Sequence, residues 1–179
     1  MEILKLNSVA VLIDCWDMHG EVTDCYVQAF DEVYTNIIEF LDQTPEIKIV
    51  VLASYDTEDF THDNAWYNGT GKRHKTADKI LNYVNKEKKQ ISLTLFDDFA
   101  NLLAENPDIK NIYLMGTGWN DCIQNRSIGL YRCSEIGKNI LVNTKCVFHS
   151  VDSILNLKHN SRFIHRVGDV YQLKDEKNM

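Results

Sequence analysis

Ser8-Val9-Ala10-Val11-Leu12-Ile13-Asp14 is a short, continuous apolar run rich in β-branched residues that closes on an acid. Runs of this length without polar alternation fit a strand buried on both faces, and therefore a parallel sheet. Working outward, residues from about Thr23 to Leu41 place Val27, Phe30, Val33, Ile37, Ile38 and Leu41 at helical spacing, so the first strand leads into an amphipathic helix. The step then repeats. A second strand is expected over Ile47–Ala53, a short helix over Ala77–Val84, a third strand over Ile91–Leu95 and a helix opened by Asp97-Asp98 and closed by Asn106-Pro107.

Ile112–Met115 forms the expected fourth strand, Asp121–Ile136 a helix stopped by Gly137, and Asn139–Thr144 a fifth strand. Ser150–Leu157 reads as a helix, and Arg162–Leu173 as either a sixth strand or a surface arm. The polar stretch from Ser54 to Lys75, with Asn68-Gly69-Thr70-Gly71 inside it, is long enough to mark a functional loop or lid. Strands alternating with helices predict an α/β fold, a doubly wound open, mainly parallel sheet of five to six strands with helices on both faces in the Rossmann-like manner. With 179 residues and no linker or repeat, a single domain over 1–179 is expected.

Composition narrows the function. A formal net charge of -7 opposes a large phosphate-binding face, so no nucleic-acid partner is expected. The basic group Lys72-Arg73-His74-Lys75 reads as a solvated helix face. Five cysteines without a C-x-x-C pair fit reduced thiols. With no apolar run of membrane-spanning length and no signal-peptide pattern at Met1-Glu2-Ile3-Leu4-Lys5, a cytoplasmic protein without a membrane partner is expected. No G-x-G-x-x-G or G-x-x-x-x-G-K-[ST] follows any strand, which leaves a nucleotide-binding module without support.

In an open parallel sheet, ligands bind beyond the carboxyl ends of the strands. Asp14 ends the first strand there. Cys122 follows the fourth strand and the turn Gly116-Thr117-Gly118-Trp119-Asn120-Asp121, at the start of a predicted helix where unpaired N–H groups favour a thiolate. Two readings of Cys122 are open, a nucleophile paired with Asp14 as base, or a small apolar side chain packed under a turn. Trp16 and His19 follow the first strand and either line a pocket or, for Trp16, pack under the next helix. Arg126 either binds a substrate carboxylate or pairs with an acid such as Asp17. Trp119 either stacks on a planar ligand or shields the thiol. Asp56, Asp59 and His62 superficially suggest metal ligands, but they lack a compact D-x-H spacing, and no metal or other cofactor is expected.

Asp14-Cys15-Trp16-Asp17-Met18-His19, Asn120-Asp121-Cys122-Ile123-Gln124-Asn125-Arg126-Ser127-Ile128-Gly129 and Gly137-Lys138-Asn139-Ile140-Leu141-Val142 resemble motifs of the isochorismatase-like cysteine hydrolases, a family that includes nicotinamidases. The likeness runs over roughly residues 8–145. It implies a hydrolase of small amides in which Asp14 takes the thiol proton, Cys122 attacks the carbonyl, and the N–H groups of Cys122 and Gly118 hold the oxyanion. It also implies a small-molecule substrate and a homo-oligomer, with the tail after Ser150 as a contact arm.

The chain departs from the family pattern in one place. The family carries a lysine near the end of the third strand, whereas Gln90-Ile91-Ser92-Leu93-Thr94-Leu95-Phe96-Asp97-Asp98 has none, and Lys89 begins that strand. Lys72 or Lys75 from the long loop would have to serve instead. Without a cation, a carboxylate beside a thiol opposes the thiolate. The alternative expectation is therefore a catalytically silent member that binds a small planar ligand or acts as an assembly subunit.

Overall fold

The computed structural model describes residues 7–15, 24–52, 79–80, 82–84, 90–93, 96–117, 123–124, 128–148, 163–167 and 170–173. They build a mixed α/β fold on a seven-stranded sheet. The strands are β1 (Ser8–Ile13), β2 (Lys48–Leu52), β3 (Gln90–Leu93), β4 (Asn111–Gly116), β5 (Asn139–Val147), β6 (Phe163–Val167) and β7 (Val170–Leu173), in the spatial order β3-β2-β1-β4-β5-β7-β6. From β3 across to β5 every pairing is parallel, and β7 and β6 extend that edge in antiparallel fashion.

Every residue of β1 and β4 is buried. Successive strand side chains point to opposite faces, so unbroken burial means that both faces of these central strands are covered. Helix α1 (Asp24–Asp42) covers one of them. Its buried ridge of Phe30, Val33, Tyr34, Ile37, Phe40 and Leu41 recurs at helical spacing. The Phe40 ring lies 4.8 Å from that of Tyr113 on β4, and the Phe30 ring 4.5 Å from that of Phe148 beyond β5. Burying each such side chain stabilises the fold by about 1.5–3 kcal/mol. The surface pair Lys79–Asp31, 3.4 Å apart with both side chains largely solvated, contributes at most about 1 kcal/mol. Packing of α1, not surface charge, holds this layer.

Helix α2 (Phe96–Glu105) carries Asp97 and Asp98 in its first turn, where acids complement the helix dipole. At its end Asn106 donates to the Leu102 carbonyl through both its backbone N–H (3.1 Å) and its side-chain amide (2.8 Å), and Pro107 follows. The expected helix over Asp121–Ile136 is not continuous. Residues 123–124 are helical, but Gly129 is extended (φ -90°, ψ -176°) before α3 (Leu130–Cys133), a 3-10 turn over Ser134–Ile136 and a stop at Gly137 with φ 73°. After proline, glycine is the residue least favourable to a helix interior, by about 1 kcal/mol relative to alanine, and the break falls on it.

The tail also departs from expectation. Arg162–Leu173 yields two strands, β6 and β7, which raises the sheet to seven strands instead of the expected five or six and places the segment within the sheet, not in a surface arm. Gly168-Asp169, a pair suited to a two-residue hairpin link, separates the strands, and Val167 pairs with Val170 across it. Strand β5 runs to Val147, beyond the expected Thr144, because it carries a bulge. Leu114 pairs with Val142, yet Gly116 pairs with Val147. The bulge is clamped from α1, where the Asn36 amide donates to the Lys145 carbonyl (3.0 Å) and the Cys146 thiol donates to the Asn36 carbonyl (3.6 Å).

At the amino ends of the strands, asparagines form a polar seam. The N–H groups of Lys110 and Asn111 donate to the Asn7 carbonyl (2.8 and 3.3 Å), and the Asn139 N–H donates to the Lys110 carbonyl (2.9 Å). The Asn139 amide donates to Asn111 Oδ1 (2.9 Å), and the Asn111 amide to Ser8 Oγ (3.3 Å). Asn7 itself adopts φ 57°, a conformation asparagine tolerates.

Candidate functional site

The chain leaves β1 for β2 on one side and reaches β4 on the other, so the point between β1 and β4 is where the winding direction reverses. Such a point opens a crevice at the carboxyl ends of its two strands. Asp14 stands at the end of β1 and Gly116 at the end of β4, and Ile13 and Gly116 are paired neighbours.

The backbone here is unusual. Asp14 has φ 50° and is 2% exposed, and Gly116 has φ 128°. A Cβ on Gly116 would lie 1.9 Å from the Ile13 carbonyl oxygen, so only glycine lets the two strand ends approach this closely. Thr117 follows. Its N–H donates to the Ile13 carbonyl (3.1 Å) and its hydroxyl to the Asp14 carbonyl (2.6 Å). The Phe148 N–H donates to the Gly116 carbonyl (2.8 Å), which ties the end of β4 to the chain leaving β5. Asp14 is thus a nearly buried acid on a left-handed turn, fastened to the next strand.

Cys15 is fully buried, with its thiol 3.8 Å from the Ile13 carbonyl. Burial, and then the neighbouring charge of Asp14 and the Cys146 thiol, push Cys15 well above the ordinary thiol value. Cys146 is pushed up to about 12, chiefly by burial, with Lys145 opposing the rise and Glu39 adding to it. Burial alone raises the Cys133 thiol far above the usual range. These cysteines are neutral at physiological pH and so lack the thiolate that nucleophilic attack requires.

Of the residues singled out in the sequence, Asp14 falls at the crevice. Cys122, Trp16, His19, Gly118, Trp119 and Arg126 lie outside the described residues, as do Asp17, Asp56, Asp59, His62, Lys72, Lys75 and Lys89. Two neighbours of Asp14 escaped the sequence reading. Cys15 was visible only as part of a motif, and Thr117 only as the middle of a Gly-Thr-Gly turn; the small residues around that threonine were the available sign that its backbone meets another strand.

Among the described residues no group of three or more His, Cys, Asp or Glu side chains converges as a metal site would require, and no helix is long and apolar enough to cross a membrane. A cleft of about 100 Å³ between Leu41, Thr44, Pro45, Ile47, Ile49 and Tyr83 lies by the start of β2, at the amino ends of the strands and away from Asp14. No family model matches the chain, and no curated protein or solved structure is significantly similar to it.

Proposed function

We propose that this protein is a cysteine-dependent hydrolase of isochorismatase-like, doubly wound fold that cleaves the C–N bond of a small amide through a thioester. The observation that carries the reading is Asp14, buried and held in a left-handed turn beside the Gly116-Thr117 end of β4, with Cys122 six positions beyond Gly116 in sequence. Asp14 accepts the proton of the Cys122 thiol, and the sulfur attacks the amide carbonyl carbon. Backbone N–H groups of Cys122 and Gly118 hold the oxyanion. Asp14 returns its proton to the departing amine as the C–N bond breaks. Water then attacks the thioester carbonyl, the C–S bond breaks, and the acid product and thiol are released.

Trp16, His19, Trp119 and Arg126 form the substrate-contacting set in this reading. It works in the cytoplasm, as a homo-oligomer, without a metal. The test is ammonia release from a panel of small planar amides. Cys122→Ala and Asp14→Asn should each abolish it, and full turnover by Cys122→Ala would remove the nucleophile assignment.

One observation favours a second reading. The segment Gln90–Leu93 and the residues just beyond it carry no lysine to balance a carboxylate and a thiolate. A silent member that binds a small planar ligand, or that serves as an assembly subunit, predicts slow iodoacetamide labelling of Cys122 at neutral pH and no burst on activated esters.

A further inference from the structure

We infer that Thr117 is a positioning residue that sets the direction in which the Asp14 carboxyl leaves β1. The inference rests on the proposed role of Asp14 as the partner of Cys122. Thr117 grips the chain on both sides of the Asp14 Cα, its N–H on the Ile13 carbonyl at 3.1 Å and its hydroxyl on the Asp14 carbonyl at 2.6 Å. The orientation of the first carbonyl is coupled to φ of Asp14 and that of the second to ψ, so together they hold the left-handed conformation at φ 50°.

That conformation is uphill for a residue with a Cβ, although aspartate visits it more readily than most. Relaxing it would turn the Asp14 carbonyl and the Asp14 side chain together, because both leave the same Cα. A group that holds both peptide planes therefore fixes the Cα–Cβ direction along which the carboxyl leaves the strand. Any residue but proline at position 117 supplies the N–H, but the second grip needs a hydroxyl. Thr117 is 6% exposed, so little water competes for the bond, and its β-branch restricts the hydroxyl to few rotamers.

The experiment follows the pH dependence of Cys122 alkylation by iodoacetamide in the full chain. Trypsin releases residues 111–126 as a peptide whose only cysteine is Cys122, so mass spectrometry reads this thiol alone. Wild type is compared with Asp14→Asn, Thr117→Val, Thr117→Ala and Thr117→Ser, each checked for folding by thermal melting. Alanine keeps the position testable if valine does not fold. Losing the buried bond changes the population of the held conformer about 2- to 12-fold, so Thr117→Val and Thr117→Ala should displace the profile in the direction Asp14→Asn does, and Thr117→Ser should stay near wild type.

A wild-type profile in the valine and alanine variants beside a displaced one in Asp14→Asn overturns the role of Thr117 and leaves that of Asp14 standing. Serine displaced as far as valine overturns it too, since the hydroxyl is then not the agent. An unchanged profile in Asp14→Asn removes the underlying pairing, and the inference with it.

Discussion

Replacing Gly116 with alanine tests the crevice at its tightest point. The new Cβ would sit 1.9 Å from the Ile13 oxygen, 2.9 Å from the Ile13 carbonyl carbon and 3.0 Å from its nitrogen, all backbone atoms that cannot swing aside. Relief requires the ends of β1 and β4 to part by about 1.5 Å, the gap between that approach and ordinary contact. Such a movement breaks the 3.1 Å bond from the Thr117 N–H to Ile13 and loosens the 2.6 Å bond from its hydroxyl to Asp14. A buried hydrogen-bonding group left unmade costs about 1–3 kcal/mol, and a non-glycine residue held at such a φ about 1–3 kcal/mol more. The expected loss is about 2–6 kcal/mol, a large share of the roughly 5–15 kcal/mol that holds a domain together. In urea, at about 2 kcal/mol per molar, the midpoint should fall by roughly 1–3 M. Gly137→Ala is the control, because Gly137 also has positive φ (73°) but has nothing within 4 Å of the added carbon, so it should lose only about 1–2 kcal/mol. A Gly116→Ala loss no greater than that of Gly137→Ala would refute the close-approach reasoning.

Three further outcomes are expected. Cys15, Cys133 and Cys146, each 0–1% exposed, should resist iodoacetamide in the native protein at pH 8 and react once it is unfolded; native labelling at unfolded rates would contradict their burial. The Cys146 thiol titrates near 9 when unfolded and at about 12 when folded, so the folded state holds its proton longer; stability should be intact below pH 9 and decline as the pH rises from 9 towards 12, as followed by circular dichroism. Asn36→Ala removes the clamp on the β5 bulge and should cost about 0.5–1.5 kcal/mol in urea melts with an unchanged slope, whereas no loss would mean that the bulge holds itself.

Much of the parallel core was legible because it is written in local pattern. Ser8–Ile13 and Asn111–Gly116 are apolar on both faces, and the ridge of α1 repeats at helical spacing, so neighbours in sequence suffice to read them. The β5 bulge and the antiparallel attachment of β7 were not, since they depend on which backbone groups meet across strands distant in sequence. The helix expected over Asp121–Ile136 failed at one glycine, where apolar periodicity masked the break. At the site, the position of Asp14 followed from strand order, but its left-handed turn did not, because aspartate adopts ordinary conformations more readily. Thr117 was illegible for the same reason, since its partner is a carbonyl more than a hundred residues away.

The asparagine seam where the strands begin works as the datum from which the opposite rim is measured. β1 and β4 each run six residues from that seam, so Ile13 and Gly116 arrive level, with Asp14 one residue beyond, only because both strands are counted from one fixed line. A slip of one residue at the seam would carry through undiminished as a stagger of about 3.3 Å at the rim and turn β4's side chains to the wrong faces. A deletion in β1 is therefore tolerable only with a matching deletion in β4. The precision of the acid's placement is set at the opposite end of the sheet.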